Sequence, residues 1–130
     1  MKYLTEMILS ISLIGVVAGC SDNQADKAKH AAAQAFMDCD FNGAITQANS
    51  AIELADGEIA HTVSGWLIIA KSQEALGNRN DAIRAYHQMV EYAPAIDDIK
   101  AAKQRGNLFV QKLSSAYPDK ISACPQIAAE

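Results

Sequence analysis

Nothing in this sequence alternates apolar and polar residues with period two over a useful length, so no sheet is expected. Clustered Lys and Arg are also missing. Eleven basic against 15 acidic residues leave a net charge of −4, which argues against nucleic acid as a partner. His30, His61 and His87 lack the one-turn spacing of a metal pair, and no glycine-rich nucleotide loop occurs. Cys39 has no base or orienting group close to it in sequence. Asp97 and Asp98 suit the start of a helix, where the macrodipole favours negative charge, better than an acid and base. The expectation is a non-enzymatic protein with no metal and no cofactor, in a chain of 130 residues that has room for one small domain.

What is present begins at the N-terminus. Lys2 gives a short positive start, Met7 to Val17 form an apolar run, and Val17-Ala18-Gly19-Cys20 follows before the polar stretch from Ser21 to Lys29. A spanning helix needs about 20 apolar residues, so this run is too short to cross a bilayer and has the length of a signal-peptide core. Residues 17–20 resemble the lipobox of bacterial lipoproteins, in which an aliphatic residue and two small residues precede an acylated cysteine. Glu6, just before the apolar run, departs from the usual positive start. The resemblance implies that 1–19 is a signal peptide and that palmitate-type acyl chains on Cys20 hold the mature chain to a membrane without a spanning helix. Ser21 rather than Asp follows the cysteine. By the enterobacterial pattern this implies the outer membrane, facing the periplasm, with the inner membrane as the lesser alternative.

Beyond a tether expected over 20–25, apolar residues recur at helical spacing. Trp66, Ile69, Ala70, Gln73 and Leu76 mark one stripe, and Gly77-Asn78-Arg79-Asn80 is a turn, with Asn80 or Asp81 able to cap the next helix. Ala82, Tyr86, Met89, Val90 and Ala93 mark a second stripe, and Pro94 follows it. These residues resemble the tetratricopeptide repeat, a helical hairpin of about 34 residues patterned W-x2-L-G-x2-Y, A-x3-F, P. Trp66, Ile69, Ala70, Ala82, Tyr86 and Pro94 stand at its signature positions, while Gln73 replaces an aromatic. A weaker upstream copy runs through Ala28, Ala31, Ala32, Ala35, Asp40-Phe41, Ala44, Ala48 and Ala51. Ala44 and Ala82 lie 38 residues apart, so the connection near 56–61 carries an insertion. After Pro94, Ile99, Ala102, Gly106, Phe109, Leu113 and Ala116 mark the apolar face of a long fifth helix ended by Pro118. The expectation is an all-α domain over 26–117, two TPR-like hairpins and a capping helix, with 118–130 as a tail.

With Cys20 acylated, Cys39 and Cys124 remain in a compartment that oxidises thiols, and a Cys39–Cys124 disulfide is expected against the alternative of two separate thiols. In TPR arrays the first helix of each hairpin lines a concave groove. The resemblance places Lys29, Ala33 and Phe36 there from the first hairpin, and Leu67, Lys71 and Glu74 from the second. It implies an adaptor that binds another envelope protein during assembly or maintenance of a pilus, secretin or outer-membrane machinery. The alternative is a self-contained structural or immunity-type lipoprotein whose fifth helix fills the groove.

Overall fold

The computed structural model describes residues 24–121 and Cys124. The expected signal peptide, Cys20 and the end of the expected tail lie outside the described residues. Helix α1 covers 24–37, α2 Phe41–Ala55, α3 Ile59–Ala75, α4 Arg79–Tyr92, α5 Ile99–Ala116 and α6 Pro118–Ile121. The described chain is all-α, built as TPR-like hairpins α1/α2 and α3/α4 followed by α5. Helix α1 already includes residues 24 and 25, and Ala25 is fully buried, so these two residues belong to the helical domain and not to the expected tether. The segment from Pro118, expected as a tail, opens with α6 and buries both Ile121 and Cys124.

Each tight turn is made by a residue in the left-handed region followed by a cap. Cys39 ends α1 with φ 62°, and the Asp40 amide closes back on the Ala35 carbonyl at 2.9 Å. The Asp40 carboxylate then caps α2 by accepting from the Gly43 amide at 2.9 Å. Asp56 and Gly57 turn the chain between the hairpins, and Glu58 caps α3 through the amides of Ala60 and His61. At the third turn Gly77 (φ 82°) takes the left-handed position. The cap of α4 is Asn78, so Asn80 and Asp81 lie inside the first turn. Its side chain does not cap: the amide donates to Gln73 Oε1 at 2.8 Å instead.

Small residues set how closely the helices approach. Ala44, Ala48 and Ala51 put a fully buried alanine face on α2. A Cβ on Gly65 would fall 2.6 Å from Ile52 Cγ1 and 3.1 Å from the Ala48 carbonyl oxygen, which makes Gly65 the seam between the hairpins. Ala70, Ala82, Tyr86 and Met89 form the contact within the second hairpin. Five consecutive residues of α3, Ile68 to Ser72, are buried, because α2, α4 and α5 all pack on it. The stripe read from the sequence covers only part of that surface. Leu76 ends up exposed at the C-cap, while Ile68, Lys71 and Ser72 are additionally buried.

Candidate functional site: a concave face crossed by α5

Helix α5 crosses the face where a groove is expected. It packs on α4 and α3, with Gly106 against the Lys71 and Tyr86 side chains. Further along, the Phe109 ring reaches Phe36 of α1 at a centroid distance of 5.7 Å. Helix α6 then delivers Ile121 and Cys124 to the end of α1. The C-terminal segment is therefore a strap running from the second hairpin back to the first.

The strap divides the six expected groove residues. Phe36 is completely buried, wedged between Phe41 (5.4 Å, edge-on) and Phe109. Lys71 is only 4% exposed; its ammonium donates to Glu74 Oε1 at 2.7 Å and to Asn107 Oδ1 of α5 at 3.2 Å. Those two positions carry no open groove, because α5 lies over them. A buried lysine is tolerable where its charge is paired and hydrogen-bonded, as it is here. Lys29, Ala33 and Leu67 stay together at a cleft of about 270 Å³, with Ser64, Ile68 and Phe109, and its lining is mostly apolar. Glu74 lies apart, half-buried, beside Arg79 and Lys103 in a polar cleft of about 560 Å³. At the rim of the apolar cleft Asp26 receives Lys29 and His30, each at 3.3 Å, and the hydrogen bond from Lys29 holds its carboxyl below the usual range.

Cys39 and Cys124 are bonded across 85 residues, with their Cα atoms 5.6 Å apart. The left-handed turn at Cys39 places its sulfur beside the returning strap. Lys120 reinforces the junction by donating to Asp38 at 3.0 Å, which, with a weaker bond from Gln34, holds the Asp38 carboxyl below its usual range.

The signature residues occupy other surfaces. Trp66 is half-buried and, with Ile69, Ile45, Asn49 and Gln88, lines a cleft of about 540 Å³ between α2 and α4. Ala70, Ala82 and Tyr86 are core, and Pro94 is exposed just after α4. The sequence pattern marks Gly106 and Phe109 only as part of an apolar face and carries no sign of Asn107. A glycine inside a long helix costs about 1 kcal/mol against alanine, and such a cost is a sign of close approach; that signal was available. Among the described residues no cluster of three metal-ligating side chains occurs, and no helix is long and apolar enough to cross a membrane. Comparison with protein-family models, curated proteins and solved structures finds no match to this chain, so the site is read from its own geometry.

Proposed function

We propose that this chain is a non-enzymatic, lipid-anchored adaptor of the bacterial envelope. Cys20 attaches it to the outer membrane facing the periplasm, and the cleft between α1, α3 and α5 receives an apolar side chain of another envelope protein. The observation that carries this reading is the cleft itself: Lys29, Ala33 and Leu67 converge beside Phe109 on an apolar hollow of about 270 Å³ that α5 leaves open. Concave, mostly apolar hollows with a few polar groups at the rim are where proteins most often hold a ligand. Because α5 covers Phe36 and Lys71, the partner would enter as a single anchor rather than as a helix laid along the whole groove. An oxidising compartment also suits the Cys39–Cys124 bond.

The second reading, a self-contained lipoprotein, draws on the same strap: α5 acts as the groove's own ligand, pinned by Phe109 and Asn107. Photo-reactive residues at Ala33 and Leu67, with Arg84 as an outward control, separate the two in living cells. Capture of one protein at both cleft positions and not at Arg84 supports the adaptor. Capture of nothing but the chain's own α5 removes it in favour of the second reading.

A further inference from the structure

Charge is distributed unevenly along the fold. Residues 24–98 carry eleven carboxylates and five Lys or Arg side chains, whereas α5 carries Lys100, Lys103, Arg105 and Lys112 and no acid. All four cations are exposed, and none pairs with a carboxylate among the described residues. Helical spacing puts Lys103 and Arg105 on opposite flanks of the buried strip through Ala102 and Gly106. Lys103 stands beside Glu74 and Arg79, while Arg105 lies beside Ile59 and Ile96. Between the flanks an outward ridge follows Lys100, Gln104, Leu108, Gln111 and Ser115, and Leu108 at its middle is 54% exposed. A helix with one face in the core, cations on both flanks and an apolar residue at the crest fits a flat, negatively charged surface.

The proposal rests on the lipid anchor proposed above. Three residues, 21–23, separate Cys20 from the described part of α1. A chain of that length reaches at most about 14 Å. The domain would thus be held against the bilayer, within one or two screening lengths of the headgroups, where charges still act. Of its faces, the one along α5, a helix with four cations and no acid of its own, is the one such headgroups attract. We propose that α5 binds an anionic phospholipid surface through Lys100, Lys103, Arg105, Lys112 and Leu108, so that the hairpins' acidic surfaces turn away from the membrane.

The test uses the mature chain from residue 20 with Cys20→Ser, which removes the anchor and keeps every described residue, sedimented with phosphatidylcholine vesicles with and without phosphatidylglycerol. Binding is expected only to the anionic vesicles and is lost in high salt. The K100Q/K103Q/R105Q/K112Q variant, with an unchanged thermal melt, is expected to bind about tenfold more weakly or worse. The K27Q/R84Q variant, which removes charge elsewhere, retains binding. No sedimentation, or equal losses in the two variants, overturns the proposal. Retention on immobilised polyglutamate without vesicle binding also overturns it, and assigns the ridge to an acidic protein. Labelled palmitate in the full chain, compared with Cys20→Ser, tests the anchor separately. Vesicle binding without label supports α5 and refutes only the anchor.

Discussion

The two hairpins share an architecture and differ in what holds them. The second buries Ile68, Ile69, Tyr86 and Met89 along its length, so its helices are joined by large apolar contacts throughout. The first buries mainly Ala25, Ala28, Ala32, Ala44, Ala48 and Ala51, and gathers its large residues, Phe36, Met37 and Phe41, at one end. Alanine gives close approach but little apolar area, and area is what stabilises. The first hairpin therefore depends on fastenings at its Phe36 end, and the disulfide, Phe109 and the Lys120–Asp38 bond are all found there.

Reducing the disulfide is the strongest way to break this comparison. A closed loop of 85 residues contributes about 4.5 kcal/mol in the chain-entropy model. Urea unfolding with and without dithiothreitol is expected to show a loss approaching that figure. Amide exchange should locate it in α1, α2, α5 and α6, and equal loss of protection in α3 and α4 would mean that the hairpins unfold as one. Phe36→Ala comes next, at about 3.5 kcal/mol, because a fully buried ring is removed from the point where α1, α2 and α5 meet. Gly65→Ala follows at about 1 to 2 kcal/mol. Its Cβ meets Ile52 and the Ala48 backbone, and the resulting strain exceeds the gain in helix propensity. A raised melting temperature in that variant would show that the seam between the hairpins is looser than its distances indicate.

The same contrast explains how much could be read from the sequence. The second hairpin was legible because Trp66, Ala70, Ala82 and Tyr86 are distinctive at their spacing. The first was legible through the alanine rhythm and the Asp40-Phe41 turn, where the structure makes Asp40 the cap of α2. The course of α5 was not legible. An amphipathic pattern shows that a helix has a buried face but not which surface receives it, and α5 lands on the expected groove. Lys71 and Phe36 thus passed from expected groove lining to buried contacts. The expected cap of α4, Asn80 or Asp81, lies two or three residues beyond the observed one, since turn-forming residues continue from Gly77 through Asp81 and only geometry selects Asn78. For Cys39 and Cys124 the sequence offered parity and compartment, and the fold supplies their proximity.

Caps give a smaller contrast. Asp40→Ala removes a bond to the Gly43 amide and is expected to cost about 1 kcal/mol, whereas Asn78→Ala, whose side chain caps nothing, is expected to cost a few tenths. Equal losses in thermal melts of the two variants would erase that distinction between the hairpins.

Acid gives the smallest effect, and at the fastened end it acts through Asp38. Asp38 lies below its usual 3.8 chiefly through the Lys120 hydrogen bond, with Gln34 second, and Asp26 lies below it chiefly through Lys29. A carboxyl whose folded pKa is depressed stabilises the fold above its unfolded value, and that contribution is lost as pH falls through the folded pKa. The loss is therefore expected below about pH 4, in α1 through Asp38 and Asp26 and at the start of α3, where the amides of His61 and Ala60 hold the Glu58 carboxyl below its usual range, and it shrinks in high salt because these carboxylates are exposed. Lys120→Gln is expected to move the Asp38 titration, followed by carboxyl NMR, up towards the usual value and to weaken the acid response of α1. If Asp38 titrates unchanged in that variant, the Lys120 bond does not form in solution, and the strap's end is held without it.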